Sequence, residues 1–176
     1  MISKLKQKTR FFLAKRKYFD KKPGLKNFNG LITNSANVLV VMPDNAEDIS
    51  NAIDIPTYFK KQKKEIILLI ETRLQHVPQG ERSFESIVFD ELSLSKLGLP
   101  NAELAGKLSD KRYDLVVDLN RGEDSLSGIL ANIPKSGLII GFKKPRADEL
   151  YNLQIANNQN NAEISYRNFL NSIQMF

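Results

Sequence analysis

The chain has 176 residues, 41% of them hydrophobic, with 9 Gly and 7 Pro, enough to bury one sizeable core and too few for two full domains. It contains no Cys and one His, which excludes disulfide frameworks, thiolate zinc sites, cysteine nucleophiles and multi-histidine metal centres and leaves a Ser-His relay no histidine but His76. The net charge of +6 is unevenly placed: residues 1–30 carry ten Lys or Arg against the single acid Asp20, whereas residues 31–176 carry 16 basic residues against 19 acidic ones.

The first element in chain order is a helix over residues 2–19, ISKLKQKTRFFLAKRKYF, with Ile2, Leu5, Phe12 and Phe19 expected on one apolar face. Lys4, Lys6, Lys8, Arg10, Lys15, Arg16 and Lys17 surround that face, making residues 1–30 a basic arm suited to phosphates of a membrane surface or another polyanion. Lys15, Arg16 and Lys17 interrupt the FFLA run, so neither a secretory signal nor a membrane span is expected. The expected location is the cytoplasm, peripheral to the inner face of the membrane. Pro23-Gly24 is read as the end of the helix, and Asn29-Gly30 and Asn34-Ser35 as turns in an irregular connection.

From Asn37 to the end of the chain, β-rich runs alternate with helical stretches, the pattern of an α/β domain over 37–176 with a mainly parallel sheet of five or six strands. The strands are read at 37–42 (NVLVVM), 65–70 (EIILLI), 86–90 (SIVFD), 113–119 (YDLVVDL) and 137–142 (GLIIGF), with YNLQI at 151–155 as a weaker edge. Their nearly unbroken apolar character predicts cover on both faces. Helices are expected at about 46–62, with a kink or break at Pro56, and at 101–111, 124–133 and 161–174. Residues 91–101 (ELSLSKLGLPN) read as neither helix nor strand.

Ligands of an open parallel sheet bind beyond the carboxyl ends of the strands. That rule selects Asp44, Asn45, Glu47 and Asp48 after the first strand, Asp118, Asn120, Arg121 and Gly122 after the fourth, and Lys143, Lys144 and Arg146 after the fifth. An acidic group facing a basic group there could hold a base near an anionic substrate. Equally, Asp44 could cap the helix while Glu47 and Asp48 complement its dipole. The first turn, MPDNAEDIS, has no Gly, so it cannot cradle a dinucleotide or a nucleotide phosphate as glycine loops do, and no cofactor is expected. His76, in RLQHVP, reads as an exposed loop residue.

YDLVVDL, the small-residue helix ILANIPKSG, LIIGF and YNLQI, in this order and spacing, resemble the N-terminal half of glycosyltransferase family 9, the ADP-heptose lipopolysaccharide heptosyltransferases. The resemblance covers roughly residues 37–155 and implies a Rossmann-like, three-layer domain on the acceptor side of a two-domain enzyme. Alignment on the first strand carries the family's catalytic aspartate onto Asp48, with Glu47 in place of the preceding glycine, while alignment on Pro56 places Ser50 there. On the Asp48 alignment, this residue would deprotonate an acceptor sugar hydroxyl while Lys143, Lys144 and Arg146 hold the phosphates of the acceptor. The family's donor-side motifs do not occur in the sequence, and one half-site does not ordinarily position both donor and acceptor.

The leading expectation is therefore a non-catalytic or partner-dependent binding or scaffold module, docked by its arm on an anionic membrane and addressing a phosphorylated glycan. Asp118, Asn120, Arg121, Lys143, Lys144 and Arg146 are its expected binding residues. The alternatives are an acceptor domain that works with a separate donor domain, and a nucleic-acid binder whose arm neutralises phosphates while Phe11, Phe12, Tyr18 and Phe19 stack on bases.

Overall fold

The computed structural model describes residues 2–19, 30–77 and 84–176, with side chains from Leu5 onward. The Pro23-Gly24 stop, Asn29 and the side chains of Ile2 and Lys4 lie outside the described residues. After helix α1 (Ile2–Tyr18) come β1 (Asn37–Val41), α2 (Ala46–Ala52), α3 (Asp54–Lys61), β2 (Glu65–Glu71), β3 (Glu85–Phe89) and α4 (Ala102–Ser109). Then follow β4 (Tyr113–Asp118), α5 (Leu126–Ala131), β5 (Ser136–Phe142), α6 (Ala147–Leu150), β6 (Leu153–Ile155) and α7 (Ala162–Ile173).

The six strands form one parallel sheet in the order β3-β2-β1-β4-β5-β6. Strand order reverses between β1 and β4, where Val38 pairs with Leu115 and Val41 with Asp118. Period-two alternation divides the apolar strand residues between two cores. Val38, Val40, Leu68, Leu115, Val117 and Ile140 pack beneath α2, α3 and α7. Leu39, Val41, Leu69, Val116 and Ile139 face α1, α4, α5 and α6. The result is the three-layer, Rossmann-like arrangement expected from the sequence.

The long helix expected over 46–62 divides at Ile53, three residues before Pro56. Pro56 has no N–H to donate to the carbonyl of Ala52, so the hydrogen-bond ladder breaks one turn earlier than the proline itself. The edge strand is shorter than YNLQI because Asn152 engages Ile139 both ways, its N–H donating to the carbonyl at 2.8 Å and its Oδ1 accepting from the N–H at 2.8 Å. Residues 91–101 fold as a tight excursion, closed by an antiparallel bridge between Leu94 and Pro100 and turning at Gly98, whose φ is +76°.

Helix α1 divides the single apolar face read from the sequence. Leu5 and Phe12 are 68% and 65% exposed, whereas Phe19 packs on the Phe11 ring at 5.6 Å between centroids, and Phe11 and Ala14 are buried against the domain. The helix carries apolar residues on two sides, so no single stripe identifies the docking face. Arg10, expected to face a polyanion, is instead nearly buried: it pairs with Asp124 and abuts Gly98.

Candidate functional site

Asp118, the last residue of β4, is fully buried and sits at the centre of a polar network. Its Oδ1 accepts from the backbone and side-chain N–H groups of Asn120, at 3.0 and 3.1 Å. Its Oδ2 accepts from Tyr151 Oη at 2.6 Å, Ser127 Oγ at 2.8 Å and Lys144 Nζ at 3.2 Å. Lys144 also donates to the Asn120 carbonyl at 3.3 Å and to Ser127 Oγ at 3.1 Å, and its side chain is 2% exposed. Asn120 Nδ2 donates to the Met42 carbonyl at 2.9 Å, so the network ties the end of β4 to the end of β1. A buried charge pair of this kind holds because every lone pair and proton has a partner. Burial, reinforced by the adjacent carboxylate, pushes the Tyr151 hydroxyl far above the ordinary tyrosine range.

Asp48 lies on the other side of the sheet, in the first turn of α2. Its carboxylate receives a two-point contact from Arg121, Nε to Oδ2 at 3.0 Å and Nη2 to Oδ1 at 2.7 Å, and is nearly buried. Arg121 also donates to the Asn160 carbonyl at 3.1 Å and lies over the Tyr166 ring, 5.8 Å from its centroid. This fork-to-fork geometry raises the guanidinium's affinity for its proton through the hydrogen bond to Asp48. Tyr166 donates to the Leu119 carbonyl at 2.8 Å, and burial, then Asp48, drive its hydroxyl upward. The helix cap is Asn45 rather than Asp44: Asn45 Oδ1 accepts from the Asp48 N–H at 2.9 Å. Ser50 is exposed, and its hydroxyl donates to the Ala46 carbonyl one turn back.

An open cleft of about 180 Å³ lies over the strand-order reversal, among the carboxyl ends of β1, β2, β3 and β4. Met42, Phe89, Leu94 and Leu130 give it an apolar floor. Asp44, Glu71, Asp90, Glu91 and Asp124 stand around it against Arg73, which pairs with Glu71 at 2.8 Å. Asp90 closes a capping box with Ser93, whose hydroxyl and then N–H hold the Asp90 carboxyl below its ordinary range.

Of the binding residues expected from the sequence, Asn120 lines this cleft, together with Asp44 and Gly122 from the same segments. Asp48, Asp118, Arg121, Lys143, Lys144 and Arg146 do not. The three basic residues after β5 are not brought together: Lys144 turns inward to Asp118, Lys143 is exposed, and Arg146 lies over the Phe11 ring, 4.2 Å from its centroid. Sequence reasoning missed Glu71, Phe89, Asp90 and Glu91, because it weighed the loops after β1, β4 and β5 and left out those after β2 and β3. The signal was present in the acids that follow both strands. His76 is exposed, and no group of three or more metal-ligating side chains occurs among the described residues. No described helix is long and apolar enough to cross a membrane.

The sequence matches no family model and no curated protein. The fold does have solved counterparts. One is the E. coli heptosyltransferase WaaC with ADP-2-deoxy-2-fluoro heptose, at a TM-score of 0.59 and 17% identity, covering 80% of this chain and 49% of the other. Another is a glycosyl transferase family 9 protein from Veillonella parvula, at a TM-score of 0.59 and 19% identity, covering 80% and 42%. The fold resembles glycosyltransferase family 9. The chain spans about half the length of these structures or less.

Proposed function

We propose that this chain is a non-catalytic binding module with the fold of a glycosyltransferase half, which takes the hydroxyl-rich face of a glycan in the acid-rimmed cleft and attaches to an anionic surface through its arm. The observation that carries this reading is that Asp48, the base implied by the sequence resemblance, and Asp118, the buried carboxylate at the end of β4, each have both oxygens engaged, by Arg121 in one case and by Lys144, Tyr151, Ser127 and Asn120 in the other. A general base needs a lone pair within reach of the proton that it takes.

The cleft suits a sugar better than a phosphate. Carboxylates accept hydrogen bonds from sugar hydroxyls, and an apolar floor carries the C–H face of the ring. An anion there would meet Asp44, Asp90 and Glu91, which make no ion pair among the described residues, beside Glu71 and Asp124, whose partners Arg73 and Arg10 are already engaged. The phosphate part of a glycan ligand would therefore lie outside the cleft.

The test is a thermal-shift and calorimetric titration of the full chain with neutral hexose and heptose oligosaccharides, ADP, ADP-sugars and phosphosugars. A neutral glycan at about 100 times its Kd should add about 2.7 kcal/mol of stability, and Asp44→Asn with Glu91→Gln should remove that gain. Stabilisation by ADP, or sugar transfer or ADP-sugar cleavage by the chain alone, would overturn the reading.

A further inference from the structure

The inward face of α1 carries Phe11, Ala14 and the half-buried Tyr18, with Arg10 reaching Asp124 and Ser125 of the domain. Its outward face is also apolar. Leu5 (68% exposed) and Phe12 (65%) are seven residues apart, two turns on the same line of the helix, and Leu13 (37%) adjoins them. By the same geometry, Lys8 and Lys15 run along one flank of this stripe and Lys6 and Lys17 along the other, with Arg16 one turn beyond Phe12. Lys6, Lys8 and Arg16 are exposed and make no ion pair among the described residues.

We infer that this outward face of α1 lies in the plane of an anionic lipid bilayer, with Leu5, Phe12 and Leu13 entering the boundary between headgroups and acyl chains and the flanking cations meeting lipid phosphates. The inference rests on the arm being a polyanion-binding segment and specifies which face binds, and to what. Charge supports this occupant: the arm has a large basic surplus, while residues 31–176 carry more acids than bases, so the field orients the helix toward the surface and the body away from it. Nucleic acid fits less well, because Phe11, the best-placed partner of Phe12 for stacking, is buried, and Leu5 and Leu13 offer bases no ring. A second copy of the same face would bring lysine rows against lysine rows.

The arrangement also places the cleft. Arg10, on the inward side of α1, holds Asp124, and Asp124 lines the cleft. The cleft rim is thereby joined through one side chain to the helix that faces the membrane.

The chain has no Trp, so one introduced indole reports its own position. Full-length Phe12→Trp protein is mixed with vesicles of phosphatidylglycerol and phosphatidylcholine, or of phosphatidylcholine alone, alongside Met175→Trp, whose site is 81% exposed beside α7 on the opposite side of the sheet. The expected result is an emission blue shift for Phe12→Trp with the anionic vesicles and none for Met175→Trp. Co-sedimentation should fall at least tenfold in the Leu5→Gln, Phe12→Gln double variant with an unchanged melting temperature, since both side chains are exposed.

Binding to anionic vesicles and heparin alike, with no blue shift and no effect of the double variant, would overturn the insertion while leaving the arm a polyanion binder. Binding to neither would overturn both readings. A dimer that dissociates on Phe12→Gln would assign the face to a second copy and sink the membrane inference.

Discussion

The hydroxyl of Tyr151 donates to Asp118 at 2.6 Å while its ring covers Gly141, the residue that pairs with Asp118 in the sheet. One side chain thus closes the buried polar network from above and packs on the strand beside it. Gly141 is required by this contact: a Cβ there would stand 2.6 Å from Tyr151 Cζ. Gly141→Ala should destabilise the protein by about 1–3 kcal/mol through overpacking, and Tyr151→Leu should offset part of that loss in the double variant. Urea unfolding of the three variants measures both.

Removing Asp118 leaves the Lys144 ammonium buried with its main anionic partner gone. Asp118→Ala should cost about 3–5 kcal/mol, whereas replacing the pair together, Asp118→Ala with Lys144→Met, should cost less than the sum of the single changes. Strict additivity in denaturant titrations would show that the two side chains do not act as a unit.

The Asp48 and Arg121 side chains, far apart in sequence, should show a coupling of about 0.5–3 kcal/mol in a double-mutant cycle through Asp48→Ala and Arg121→Ala. A coupling indistinguishable from zero would mean that Asp48 is available to other partners and would revive its candidacy as a base.

Stability should respond to pH at both ends. Backbone N–H groups of Asn37 and Ala36 hold the Asp114 carboxyl below its ordinary value. Its contribution is present above the unfolded value of about 3.9 and is lost as pH falls through the lower folded value, so Asp114→Asn should flatten the acid limb of the stability curve. Burial raises Tyr113, Tyr151 and Tyr166. For these groups the neutral form is favoured in the folded state, so stability is present below the ordinary tyrosine value of about 10 and is lost as pH rises beyond it. Tyrosinate absorbance from these three residues should therefore rise together with loss of the far-ultraviolet circular dichroism signal, and ionisation well before unfolding would contradict their burial.

Much of the fold was legible because β1, β2, β4 and β5 are apolar runs with few polar interruptions, a pattern that buried parallel strands impose directly, whereas β3, read as covered on both faces, lies at the edge of the sheet with Val88 exposed. The sixth was shortened by Asn152, whose side chain takes a hydrogen-bonding role that strand propensity does not encode. The site was less legible. That Lys144 folds back on Asp118, or that Arg121 grips Asp48, depends on strand order and register, and a carboxylate paired across the fold looks in sequence the same as one facing solvent. Helix α1 misled for a different reason: Phe11 and Phe12 are adjacent, so the pair supplies an apolar residue to both sides, and the choice between them was made by the surface of α5.

Strand β1 occupies the middle of the sheet, bonded on one side to β2 and on the other to β4, whose first residue is Tyr113. During synthesis β1 can find β2 early, but its second edge has no neighbour until β4 has left the ribosome. Over that interval Val38, Leu39, Val40 and Val41 present an uncovered apolar edge, the kind of template to which another nascent chain can add. Pauses in translation that fall after β2 has emerged from the ribosome and before β4 has emerged should therefore raise aggregation more than pauses after β4 is out, and a chaperone that shields strand edges would act within that window.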